Sequence, residues 1–104
     1  MPYYIYLLQC CDKTLYTGIT TDPKRRFLQH CGRLPGGARY TRARKAEALY
    51  PLFLSQTRTD ATRLEYHLRR LSHEQKLLLL QEPCALSTLL GKKLDCSLYE
   101  VCIK

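Results

Sequence analysis

Residues 3–10, Tyr-Tyr-Ile-Tyr-Leu-Leu-Gln-Cys, put apolar side chains on both alternating faces, the pattern of a central strand covered on two sides. The short polar stretch Cys11-Asp12-Lys13-Thr14 separates it from residues 15–19, which are again strand-like, so the two predict a hairpin. Thr21-Asp22-Pro23 then signals a helix start. Asp22 can cap the free amide groups, and proline at the first helical position loses nothing by lacking its own N–H. This helix is expected to run to about Gly32, with Phe27, Cys31 and Leu34 facing inward. Residues 32–47 read as a Gly/Arg-rich loop. Residues 49–57 look like a third strand, in which Pro51 cannot donate to a ladder and so marks an edge or the strand's first turn. Thr59 or Asp60 is placed to cap a second helix, with Ala61, Leu64, Leu68 and Leu71 as its apolar stripe. Ser72 and Gln75 resemble a capping box that opens a third helix through about Gln81. Beyond Pro83 short apolar pieces alternate with Gly91-Lys92-Lys93, and the last strand-like piece, residues 98–103, has no evident partner. The order predicts an α+β layout in which helices lie against a small antiparallel sheet. Residues 1–82 are read as the domain and 83–104 as a C-terminal extension packed on it.

A chain of 104 residues supports one domain with one modest core. Its longest apolar runs, residues 3–8 and 77–80, fall far short of the roughly 20 residues that span a membrane. No basic segment precedes an apolar one at the N-terminus, so no secretory signal is expected and the default compartment is the cytoplasm. Cys10, Cys11, Cys31, Cys84, Cys96 and Cys102 include no C-x-x-C pair, which argues against structural zinc. They read as reduced, small buried hydrophobes, with Cys96 and Cys102 the one candidate pair.

Charge adds direction. The chain carries 17 Lys and Arg against 9 Asp and Glu, a formal +8. Lys24, Arg25, Arg26, Arg33, Arg39, Arg42, Arg44 and Lys45 all fall between residues 23 and 46, a segment without one acid. Those eight cations equal the whole net charge. A single basic segment that also holds Gly36, Gly37 and Tyr40 suits a polyanion gripped at one place.

Several polar residues stand where the folding pattern does not need them. Tyr6 and Tyr16 lie on the two hairpin strands, Arg26 and His30 are four apart on one helix face, and Glu65 sits beside the apolar stripe of the second helix. Such a set suits phosphodiester cleavage. A carboxylate can hold a hard divalent cation, arginine can neutralise charge building on the phosphate, and tyrosine or histidine can move the proton of an attacking water. For Tyr6 and Tyr16 to share a site, the hairpin loop must be odd. A loop over residues 12–14 sets Tyr16 opposite Cys10, whereas a two-residue turn sends Tyr6 to the other face.

Tyr4-Ile5-Tyr6, with Tyr6 ten residues before the Tyr16 of Tyr16-Thr17-Gly18, resembles the paired tripeptides that name the GIY-YIG nuclease superfamily. Arg26, His30 and Glu65 fall at the spacing of that superfamily's helix arginine, its histidine-or-tyrosine position and its metal-binding glutamate. The segment Gly36-Gly37-Ala38-Arg39-Tyr40-Thr41-Arg42 is similar to the small stand-alone bacterial branch, UPF0213-like. That branch is related to the catalytic subunit of nucleases that cut branched DNA. The resemblance implies a three-stranded antiparallel sheet flanked by helices, one Mg²⁺ or Mn²⁺ on Glu65, and hydrolysis of a DNA phosphodiester by water. It makes Tyr6 the proton acceptor, has Tyr16 and His30 hold the water or the phosphate, and has Arg26 stabilise the phosphate's charge. Duplex or branched DNA is the implied partner, in repair or recombination, with a protein partner able to supply targeting. Tyr4 and Thr17 depart from the glycine and isoleucine of the name motifs. Ile19, Thr20 and Thr21 stand where some members carry a lysine, and the chain has no asparagine to match a late one found in others. Phosphate contact then falls to Lys24, Arg25 or Arg39, and Tyr40, Arg42, Arg44 and Lys45 complete the expected grip on DNA. The alternative is a binding module of the same fold that cuts slowly or not at all.

Overall fold

Alternation along the first strand divides the molecule into two layers. A computed structural model of the chain describes residues 2–33, 35 and 45–102. Its sheet comprises β1 (Tyr3–Cys10), β2 (Leu15–Thr20), β3 (Ala46–Ser55) and β4 (Tyr99–Val101), in the order β2-β1-β3-β4 with every pair antiparallel. On one face Ile5 and Leu7 join Phe53 and the apolar stripe Ala61, Leu64 and Leu68 of α2 (Arg58–Arg69). Leu79 of α3 (His73–Gln81), Leu86 and Leu90 of α4 (Leu86–Leu90), Leu94 and Tyr99 close the same core. Each fully buried leucine there contributes about 1.5–3 kcal/mol over an exposed one. On the other face Tyr6, Leu8 and Cys10 pack with Ala46, Tyr16, Leu49 and the Phe27 of α1 (Pro23–His30).

The fourth strand corrects the expected three. Residues 99–101 pair with β3, Phe53 opposite Val101 and Ser55 opposite Tyr99, and the Tyr99 hydroxyl donates to the Asp60 carbonyl at 2.7 Å. Three residues are too short for alternation to show a partner. β3 begins at Ala46, earlier than its apolar run suggested, and Pro51 lies inside it rather than at its first turn. The register passes from Ile5 opposite Phe53 to Tyr6 opposite Pro51, so Pro51 sits at a bulge, where the ladder tolerates a missing donor.

The hairpin loop is odd, as a shared tyrosine face requires. It comprises residues 11–13, so Tyr16 lies opposite Leu8 rather than Cys10, and parity is kept. The Lys13 N–H closes a turn on the Cys10 carbonyl at 2.9 Å, and Lys13 takes the left-handed conformation at φ 69°. The Asp12 carboxylate steadies the turn by accepting from the Thr14 hydroxyl at 2.6 Å and its N–H at 3.1 Å.

Helix ends follow their signals with two exceptions. Asp22 caps α1 through the Arg25 N–H at 3.1 Å, and Ser72 and Gln75 make the reciprocal capping box of α3. The cap of α2, however, is Thr57, whose hydroxyl accepts from the Asp60 N–H at 3.1 Å. Thr59 and Asp60 lie in its first turn, where the Asp60 charge suits the helix dipole. At the end of α1, Gly32 at φ 80° turns the chain away, so Cys31 is exposed and His30 takes the inward position. Leu34 lies outside the described residues. No disulfide joins any of the six cysteines; the reading of them as buried hydrophobes holds for Cys10 and in part for Cys96, which packs half-buried against the core, whereas Cys11, Cys31 and Cys84 are exposed. Among the described residues no helix is long and apolar enough to cross a membrane.

Candidate active site

Tyr6 and Tyr16 project from the same face of the β1/β2 hairpin because Tyr6 is opposite Gly18 and Leu8 opposite Tyr16. α1 crosses that face with residues 26, 27 and 30 turned toward the sheet, the spacing of one helical face. His30, 1% exposed, sits edge-on to both rings, with centroids 5.9 Å from Tyr6 and 5.7 Å from Tyr16. The Tyr6 hydroxyl lies 2.9 Å from His30 Nε2 and accepts from Arg26 Nε at 3.3 Å. Arg26 Nη1 in turn donates to Gln29 Oε1 at 2.9 Å. Four of the five expected residues therefore meet in one place.

The fifth lies in the other layer, and no hydrogen bond or ion pair joins it to these four among the described residues. Glu65 is on α2, which packs on β2 and β1 across the sheet. Its side chain is 17% exposed and accepts from Arg69 Nη2 at 3.2 Å through Oε2. Its charge reaches the site electrostatically. Burial lifts the Tyr6 pKa above the usual 10, the Arg26 hydrogen bond and charge oppose the rise, and Tyr16 and Glu65 add to it. Tyr6 is thus a neutral phenol at neutral pH. Burial, reinforced by the Arg26 charge, lowers the His30 pKa from 6.5 to about 4, so its imidazole is neutral as well.

Gly18 explains its own presence. A Cβ built there would overlap the Tyr6 hydroxyl and ring, whose Cε2 would be 3.0 Å away. The glycine is the slot in which the tyrosine lies, and its φ is not left-handed, so space rather than backbone freedom is the constraint. Gly18→Ala is expected to cost about 1–3 kcal/mol through overpacking. It should also displace the Tyr6 hydroxyl from His30 and Arg26. Urea unfolding and the Tyr6 ring resonances by NMR check both consequences.

His30 also carries a stability signature. Its pKa is lower in the folded chain than in the unfolded one, so between those values the unfolded chain binds more protons. The contribution is complete above about pH 6.5 and is lost as pH falls toward 4, about 3 kcal/mol in all. Urea titrations of parent and His30→Gln at pH 7 and pH 4 should show the parent's advantage shrinking by that amount. An advantage independent of pH would mean that His30 is not buried neutral.

Of the expected nucleic-acid contacts, Lys24 and Arg25 are exposed on α1 and Lys45 is exposed just before β3. Arg39, Tyr40, Arg42 and Arg44 lie outside the described residues. The sequence reading missed Gln29 and Arg69, the partners of Arg26 and Glu65. Their signal was the spacing of three and four along a helix.

Among the described residues no three His, Cys, Asp or Glu side chains cluster as a metal cage. Of the candidate residues, Glu65 is the carboxylate that would hold a divalent cation. Mg²⁺ is commonly held in that way, by one or two carboxylates and its own waters. Among the described residues Glu65 Oε1 has no hydrogen-bond partner, so the donor set fits such an ion.

A sequence profile of the GIY-YIG catalytic domain matches residues 2–77, and the chain belongs to this nuclease family. Within it the similarity is to UPF0213 proteins. That of Cupriavidus necator is 44% identical over 75 residues, covering 71% of this chain and 78% of the other. That of Staphylococcus haemolyticus is 35% identical over 81 residues, covering 77% and 95%. The solution NMR structure of a UPF0213 protein from Bacillus halodurans is 29% identical, covers 78% of this chain and 84% of that one, and superposes with a TM-score of 0.43.

Proposed function

We propose that the chain is a metal-dependent endonuclease that hydrolyses DNA phosphodiester bonds by water, with branched DNA in repair or recombination as its setting. The observation that carries the reading is the Tyr6 hydroxyl, held between Arg26 Nε and His30 Nε2 on the face it shares with Tyr16. Arginine can only donate, so it occupies one lone pair of that oxygen. In this reading the neutral imidazole carries its proton on Nδ1 and accepts the phenolic proton at Nε2, 2.9 Å from the hydroxyl oxygen.

A neutral phenol cannot hold a second proton, so Tyr6 acts as a relay rather than a standing base. The attacking water passes its proton to the Tyr6 oxygen as the phenolic proton moves to His30 Nε2. General acid–base assistance of this kind contributes about 10²–10⁴ in rate. Tyr16, edge-on to His30, holds the water or a phosphate oxygen at the mouth of the site. Arg26 carries a fixed charge, steadied by Gln29, against the charge that develops on the phosphate. The divalent cation, when bound at Glu65, supplies Lewis-acid polarisation of the phosphate and charge stabilisation at the leaving oxygen. Lys24, Arg25 and Lys45, with Arg39, Tyr40, Arg42 and Arg44 of the basic segment, grip flanking phosphates without regard to sequence.

Incubation of the chain with labelled duplex, flap, junction and single-stranded DNA in Mg²⁺ or EDTA tests this reading. Mg²⁺-dependent products from at least one DNA are expected. Binding without products from any of them would make the chain a nucleic-acid-binding module instead.

A further inference from the structure

Tyr66 does nothing for the core. It lies two residues from both Leu64 and Leu68, hence about 200° around α2 from each, on the far side of the helix from the sheet. The side chain is 56% exposed, which puts an aromatic ring in solvent where folding asks for none. The ring is nonetheless held in one orientation. His67 stands edge-on at 5.2 Å and 82°, the Arg70 guanidinium lies 5.5 Å from the ring centroid, and Arg70 Nη1 donates to the Tyr66 hydroxyl at 3.5 Å. An aromatic surface fixed in advance costs less to order on binding.

Its neighbours on the helix surface are cations. Turning around α2 at about 100° per residue, the order from the core edge outward is Glu65, Arg69, Tyr66, Arg70 and Arg63. The three arginines are exposed. The first of them is the partner of the Glu65 carboxylate. One strip therefore runs from the acidic residue of the site, past a guanidinium, to a ring flanked by two more. Fixed positive charge on either side of a solvent-facing ring is the pairing that binds a nucleic-acid strand by its phosphates and one base by its face. In continuous duplex that face is covered by the neighbouring base pair, so the base must be unpaired.

We propose that Tyr66, with Arg63 and Arg70, forms a stacking platform for an unpaired nucleotide next to the cut, so that the substrate carries a single-stranded segment there. The position next to the cut rests on the assignment of Glu65 above, whereas the stacking does not. Binding in EDTA, where no cleavage occurs, separates the two. The probes are a fluorescent oligothymidylate and an abasic oligomer with the same number of phosphates. Tyr66→Ala is expected to weaken binding of the oligothymidylate by about 5- to 150-fold and to leave the abasic oligomer unchanged. Tyr66→Phe, which keeps the ring, should bind both like the parent. Equal loss for both probes would reduce the strip to a charged surface, and no loss for either would remove Tyr66 from the nucleic-acid interface. Failure to cut any DNA would overturn the nuclease reading and leave this binding result standing.

Discussion

Tyr6→Phe is expected to slow cleavage by about 10²–10⁴-fold at saturating DNA, with binding unchanged. The substitution keeps the ring in the slot above Gly18 and deletes one oxygen. That oxygen is the shared partner of Arg26 Nε and His30 Nε2, so the proton path from the water to the imidazole is cut at its middle. His30 Nε2 and Arg26 Nε each lose this one hydrogen bond, and a hydrogen bond of this kind is worth about 0.5–1.5 kcal/mol. The variant should therefore also unfold at lower urea. Single-turnover rates and binding isotherms at the same protein concentration separate the two effects. A parental rate would show that the Tyr6 hydroxyl is a structural hydrogen bond and that another group takes the proton.

Glu65→Ala should abolish Mg²⁺-stimulated cleavage, with a loss of at least about a hundredfold, because it removes the carboxylate proposed to hold the ion. Alanine is the best helix former, and the Glu65 side chain is at the edge of the core, so the fold should stand. DNA affinity should hold or rise slightly. The grip is assigned to Lys24, Arg25, Lys45 and the basic segment around them, and the change deletes a negative charge near a polyanion while freeing Arg69. Loss of binding in parallel with loss of cutting would place Glu65 in the DNA interface rather than at the metal.

Much of this was legible in the sequence because the signals were local. The alternation of residues 3–10, the Asp22-Pro23 helix start and the Ser72/Gln75 box each lie within a few residues, and each appears where its pattern put it. The candidate site residues could be picked out as a set because family spacing names them, but their geometric relations could not. That His30 rather than Cys31 turns inward depends on where Gly32 ends the helix, a choice that hydrophobicity alone misassigned. That Gly18 makes room for Tyr6 follows from a cross-strand register that no single segment contains. Likewise β4 is three residues long and owes its place to β3. Thr57 was passed over as the α2 cap because Thr59 and Asp60, two further cap-forming residues, follow it closely.

Incubation with covalently closed circular DNA, single-stranded and duplex with an extruded cruciform branch, tests the central claim most directly, since a circle offers no ends and only an endonuclease can open it. The expected result is nicked or linear product from at least one circle in Mg²⁺ and none in EDTA, with Glu65→Ala inactive on the same DNA at matched occupancy. Circles left intact by an excess of bound protein in Mg²⁺, or opened equally in EDTA or by Glu65→Ala, would contradict a metal-dependent endonuclease built on Tyr6, Arg26, His30 and Glu65.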